Sequence, residues 1–232
     1  MSILEEKKEV KKYNLELINK KLVLGTFGNA SKRYNDCIII KPSGVSLDEV
    51  SSDDMVQVNI DDRSYNSHYK PSSDTPTHIE LYKEFKQIGA VVHSHSPYAT
   101  AWAQANSSIP CYGTTHADYW RGPVPITREI TSNEIFGDYE GNTGKVIIER
   151  IKELKIDPLD CPGILIAHHG PFTWGKSLKD AVRYAELLEY ISKIAWYTYC
   201  IDNKAKSAPS DLIDKHFSRK QGPDAYYGQD ED

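Results

Sequence analysis

Two short apolar runs, each ending in histidines, constrain this chain more than any other feature. Ala90-Val91-Val92 runs into His93-Ser94-His95, and Gly163-Ile164-Leu165-Ile166-Ala167 runs into His168-His169-Gly170. Consecutive apolar residues bounded by glycine read as strands buried on both faces. Such strands need helices on each side of their sheet. The helices are legible. Residues 3–20 set Val10, Tyr13 and Leu17 on one side among lysines and glutamates, and Thr75-Pro76 opens a run with Ile79, Tyr82 and Phe85 that Gly89 closes. Residues 98–105, Val146–Leu154, Leu178 to about Cys200 and Asp211–Arg219 repeat the pattern. Cys37–Ile40 and Met55–Ile60 read as further strands, Gly25–Ser31 as a loop, and residues 106–142 as loop-rich. Neither a linker nor a repeat interrupts the alternation, so one α/β domain is expected over residues 1–232.

Composition narrows the class. The chain has 232 residues, and 28 Lys+Arg against 33 Asp+Glu leave a net charge of −5, which lacks the basic footprint of a nucleic-acid binder. Hydrophobic residues at 39% and charged ones at 26% suit a folded domain rather than a disordered one. No run approaches the ~18 apolar residues of a membrane span. Met1 to Lys12 is charged and shows no secretory pattern. Cys37, Cys111, Cys161 and Cys200 form no C-x-x-C pair. A reduced, cytoplasmic setting is therefore expected, without a disulfide framework.

In a strand, positions i and i+2 face the same side ~6–7 Å apart. His93 and His95 can thus converge on one ion, with a third nitrogen from His168 or His169. A one-residue slip in register exchanges those two. Three histidines with open positions describe a catalytic metal site, with zinc the leading candidate and manganese or cobalt compatible with the ligand type.

Gly170 to Ser177 matches the spacing G-x-x-x-x-G-K-[ST] of a nucleotide phosphate loop. Its chemistry argues against that role. Pro171 has no N–H to offer a phosphate, and Phe172 and Trp174 are bulky where backbone must approach closely. Gly175 and Lys176 are expected to begin the long helix instead. No G-x-G-x-x-G occurs, so no dinucleotide site is expected. Three smaller loops carry phosphate-type groups: Gly28-Asn29-Ala30-Ser31, Lys41-Pro42-Ser43-Gly44 and Ser72-Ser73-Asp74. Asp74 can cap the following helix or reach the metal.

These segments, with Thr75-Pro76-Thr77-His78, Gly113-Thr114-Thr115-His116-Ala117-Asp118-Tyr119, His169-Gly170-Pro171-Phe172 and Ala225-Tyr226-Tyr227-Gly228-Gln229, resemble the class II aldolase superfamily, and within it the pentulose-phosphate 4-epimerases. The resemblance runs over nearly the whole chain. It implies a single three-layer α-β-α domain around a mixed, largely antiparallel sheet. It implies metal ligands at His93, His95 and His169 beside the Asp74 carboxylate. Gly28, Asn29, Ser43, Gly44, Ser72 and Ser73 match the substrate and phosphate loops, where Lys41 adds a positive charge. Asp118 and Tyr227 match the proton-transferring pair. It also implies a phosphorylated pentulose substrate and a homotetramer with active sites between subunits. The competing readings are an aldolase that releases its aldehyde, a non-catalytic interaction module on the same fold, and a nucleotidase.

Overall fold

The computed structural model describes residues 2–222 and 225–226. Six strands, β1 (Asn29–Tyr34), β2 (Cys37–Ile40), β3 (Val56–Asn59), β4 (Ala90–His93), β5 (Gly163–Leu165) and β6 (Pro171–Gly175), form one sheet in the order β3-β2-β1-β4-β6-β5. Every neighbouring pair is antiparallel. The one parallel contact among the described residues is an isolated bridge between Ile126 and Leu165.

The principal helices are α1 (Ile3–Asn19), α2 (Thr75–Glu84), α3 (Pro97–Gln104), α4 (Thr114–Ala117), α5 (Ser132–Ile135), α6 (Tyr139–Leu154), α7 (Leu178–Ile201) and α8 (Ser210–Gln221). Strand alternation divides the core between the two faces of the sheet. Ala30, Ile39, Ala90 and Val92 pack with Val10 and Leu17 of α1 and with Ala181, Val182 and Ala185 of α7. Ile38, Ile40, Val91 and Phe172 pack on the other face with Ile79 and Tyr82 of α2 and Ile147 and Ile151 of α6. The three-layer expectation is met.

Two strands were hidden in the sequence. β1 begins inside the segment read as a loop, because Asn29 and Ser31 are polar yet buried. They bond to side chains at and along α2 rather than to solvent. β6 lies inside the apparent phosphate loop. Its five residues are buried between β4 and β5, so this stretch is a central strand. Gly175 ends that strand, and α7 starts only after Ser177, whose side chain accepts from Asp180 N–H. Gly175 and Lys176 therefore precede the helix rather than begin it.

Helix α6 also starts seven residues earlier than its apolar spacing indicates, at Tyr139. Gly141 and Gly144 mask it. At Gly144 a Cβ would meet Glu80 Cβ at 2.7 Å and Thr77 O at 3.0 Å, so this glycine lets α6 lie close against α2. Asp138 caps the helix by accepting Gly141 N–H at 3.2 Å. Mid-helix Asn14 is likewise buried for a structural reason. Its Oδ1 accepts Ala30 N–H at 2.8 Å and its Nδ2 donates to Ala30 O at 3.0 Å, pinning α1 to β1 beside Asn29. Among the described residues no helix is long and apolar enough to cross a membrane.

A candidate metal centre at one end of the sheet

The antiparallel sheet brings the carboxyl ends of β2, β4 and β5 to the amino ends of β1 and β6. His93, the last residue of β4, lies opposite Asn29 on β1 and Phe172 on β6. Its ring stacks on Phe172 at 4.2 Å and 15°. Its Nδ1 donates to Pro171 O at 3.0 Å. That bond leaves Nε2 as a lone pair, 3.1 Å from His95 Nε2.

His169 arrives from the β5–β6 hairpin, which Ile166 N–H closes onto Gly170 O at 2.9 Å. Its ring centroid is 4.7 Å from that of His93 and 5.2 Å from that of His95. One nitrogen from each of the three rings lies within 4.8 Å of the others. His168, at φ +60° in the turn, points away, with Nε2 3.1 Å from Glu129 Oε1 and a side chain 58% exposed. The two adjacent histidines thus face opposite directions, and His169 is the one that joins the cluster.

The three loops close around these rings. A cleft of about 380 Å³ is lined by Gly28, Asn29, Lys41, Ser43, Gly44, Ser72, Ser73 and Asp74 as well as His93, His95 and His169. Asp74 precedes α2 and makes no side-chain cap. Its Oδ2 instead accepts from Asn29 Nδ2 at 2.6 Å, so its carboxylate belongs to the cleft rather than to the helix end. The tight nitrogen cluster consists of the three histidines, with Asp74 on the wall beside them. Buried Lys41 donates to Thr26 O at 2.8 Å. Gly28 takes φ +70°, and a Cβ there would stand 2.9 Å from His93 O. The loop and the end of β4 fit only because this residue has no side chain.

Electrostatics favour a cation. Burial pushes His93 down to about 3, and burial also lowers His95 and His169. All three imidazoles are neutral at pH 7, which is the form that binds metal. Burial opposes ionisation of Asp74, but His93, His78 and the Asn29 hydrogen bond outweigh it and hold the carboxyl below its usual range. Tetrahedral zinc with bonds of 2.0–2.1 Å sets two nitrogens about 3.3 Å apart, close to the observed 3.1 Å. His169 Nδ1 is buried without a protein partner. The donor set fits a divalent ion.

Asp118 stands apart from this cleft. At the end of α4 its Oδ1 accepts from His216 Nδ1 at 3.0 Å and from Arg219 Nη2 at 3.1 Å, both on α8, and Lys220 Nζ lies 3.6 Å from Oδ2. Tyr227 lies outside the described residues. The cleft also has walls that sequence reading missed: Thr26, Phe27, Tyr139 and Glu140. Tyr139 and Glu140 reach it from the first turn of α6. The one signal for them was Asp138 as a helix cap, and the glycines behind it obscured that.

Two comparisons place this arrangement. Over the whole fold, an L-fuculose 1-phosphate aldolase superposes with a TM-score of 0.79 at 23% identity, covering 94% of this chain and 97% of that one. YgbL, a putative aldolase/epimerase/decarboxylase from Escherichia coli, superposes at 0.73 and 23% identity, covering 91% and 97%. An L-fuculose-1-phosphate aldolase from Thermus thermophilus gives 0.68 at 20% identity, covering 86% and 97%. These likenesses show a shared fold. In sequence, the family described as Class II Aldolase and Adducin N-terminal domain matches residues 8–196. The chain belongs to the class II aldolase and adducin N-terminal domain family.

Proposed function

We propose that the protein is an L-ribulose-5-phosphate 4-epimerase. On this reading it depends on a divalent metal, most simply zinc, and interconverts L-ribulose 5-phosphate and D-xylulose 5-phosphate in cytoplasmic pentose (arabinose) catabolism. The observation that carries it is the convergence of three neutral imidazoles with Lys41, Asp74 and the serine and glycine loops in one cleft. Within the family, Thr114 to Tyr119 and Tyr226 to Gln229 favour the epimerase.

The chemistry suits these residues. The C4 hydrogen of a 2-ketose is not acidic, because it is not α to the C2 carbonyl. Inversion without a nicotinamide therefore breaks and remakes the C3–C4 bond. Cleavage leaves a dihydroxyacetone enediolate and glycolaldehyde phosphate, and re-addition to the other face of the aldehyde inverts C4. His93, His95 and His169, with Asp74 beside them, would hold a divalent ion, and that ion would supply the Lewis acidity such an enediolate needs. Gly28, Asn29, Ser43, Gly44, Ser72 and Ser73, with Lys41, grip the phosphorylated substrate and keep the aldehyde fragment from leaving. Asp118 and Tyr227 move the C4 hydroxyl proton on opposite faces of the aldehyde. Asp118 is held by α8, away from its own chain's cleft. The family resemblance, which implies active sites between the subunits of a homotetramer, assigns it on this reading to a neighbouring subunit's cleft.

The second reading is an aldolase that releases its aldehyde, which the fuculose-phosphate aldolase likeness favours. Turnover of L-ribulose 5-phosphate, with and without a chelator, separates the two. Chelator-sensitive D-xylulose 5-phosphate supports the epimerase. Accumulating glycolaldehyde phosphate and dihydroxyacetone support the aldolase. Bound zinc with neither outcome moves the substrate elsewhere.

A further inference from the structure

Behind the cleft, helix and strand carry matched polar rows. Asp74 stands at the start of α2, and His78 and Tyr82 follow it at intervals of four. Asn29, Ser31 and Arg33 follow one another along β1 at intervals of two. Four helical residues rise ~6 Å and two strand residues ~6.6 Å, so the rows stay in step. The rungs are short. Asn29 Nδ2 donates to Asp74 Oδ2 at 2.6 Å. Ser31 Oγ lies 2.7 Å from His78 Nδ1 and 2.9 Å from Tyr82 OH. Tyr82 OH also reaches Ser31 O at 3.0 Å. Arg33 Nη2 donates to Tyr82 O at 2.6 Å, and its guanidinium lies 4.8 Å over the Tyr82 ring.

Ser31, His78 and Tyr82 are fully buried. Apolar residues would fill this layer without the cost of desolvating three polar groups. A hydrogen-bonded ladder does what apolar contact does not, because it fixes one register. That register has a consequence at the cleft. Asp74 is one helical turn from His78, Asn29 is two residues from Ser31, and His93 lies directly across from Asn29. The His78 ring also meets Phe172 edge-on at 5.8 Å, and Phe172 is the ring on which His93 stacks.

We propose that His78 is a positioning residue for the metal centre: through Ser31 it fixes α2 on β1 and so sets the Asp74 carboxylate and the His93 imidazole in place. The proposal rests on reading the three-histidine cluster as a metal centre, but not on which sugar-phosphate reaction follows.

The test uses the purified full-length protein and zinc competed against a chromogenic chelator. Ser31→Ala and His78→Leu each weaken zinc binding by about 10-fold, the low end of what losing a direct partner of a ligand costs, because these side chains act on the ligands one contact removed. The double variant is no weaker than the worse single one, since both remove the same rung. His78→Asn, whose amide occupies the place of Nδ1, stays within a few-fold of wild type. The visible spectrum of the cobalt-loaded protein shifts in Ser31→Ala, which general loss of stability would not cause. Wild-type affinity in Ser31→Ala overturns the proposal, as do losses that multiply in the double variant. Should His78→Leu fail to fold, Ser31→Ala decides alone. A wild-type protein that takes up no stoichiometric zinc overturns the metal centre itself, and the proposal with it.

Discussion

Acidifying the metal-free protein from pH 7 to pH 5 is expected to remove about 6 kcal/mol of its stability. Burial pushes His78 and His116 down to about 4, with Asp74 partly opposing at His78 and a hydrogen bond to Gly122 partly opposing at His116. Burial likewise takes His93 down to about 3. Their ordinary value is 6.5. Each folded value lies below the unfolded one, so the unfolded chain takes up protons first. The stabilisation is complete above pH 6.5 and is lost as pH falls toward 4. Each histidine contributes a slope of about 1.4 kcal/mol per pH unit. Three groups over the 1.5 units below 6.5 give about 6 kcal/mol, against a typical total of 5–15 kcal/mol. His95 and His169 shift the same way and steepen the loss. The lowered carboxyls, such as Asp74 and Asp138, lose their contribution only below about pH 4, so the two windows separate. Asp160, raised by burial, opposes the trend as one partly exposed group. The assay is urea unfolding in chelator at pH 7, 6 and 5. His116→Leu should reduce the slope by one proton. Stability that is flat or rises between pH 6.5 and 5 would refute the reasoning.

Three further outcomes are expected. His169→Ala loses stoichiometric zinc by elemental analysis, while His168→Ala keeps it, because only His169 turns toward the other two rings. Gly28→Ala lowers stability by about 2–4 kcal/mol in a melting experiment, because alanine is strained at φ +70° and its Cβ meets His93 O. On the proposed epimerase reading, Asp118→Asn and Tyr227→Phe each cut turnover by roughly 10²–10⁴-fold without loss of zinc binding. Near-full activity in both would remove them from the proton-transfer steps.

Much of this protein can be read from local pattern. Cys37–Ile40 and Ala90–His93 are strands because their apolar residues are consecutive. Ile3–Asn19 and Leu178–Ile201 are helices because theirs recur at helical spacing. The histidines at the strand ends marked the three-histidine cluster, and residue chemistry alone discounted the phosphate loop through Pro171, Phe172 and Trp174. Other features have no local signature. Asn29 and Ser31 look like loop residues until the partners that bury them, Asp74, His78 and Tyr82, are brought from more than forty residues away. Gly144 looks like a break in a helix until α2 lies against it. Periodicity left His168 and His169 equivalent, and the hairpin decided between them by placing His168 at positive φ and turning it outward. Tyr139 and Glu140 enter the cleft only because α6 packs on α2. The amino-acid sequence by itself determined which groups this chain can present: imidazoles, a carboxylate, a lysine and hydroxyl-rich turns. Only the tertiary structure decided which of them share one cleft, because that depends on strand register and helix packing between residues far apart in the chain.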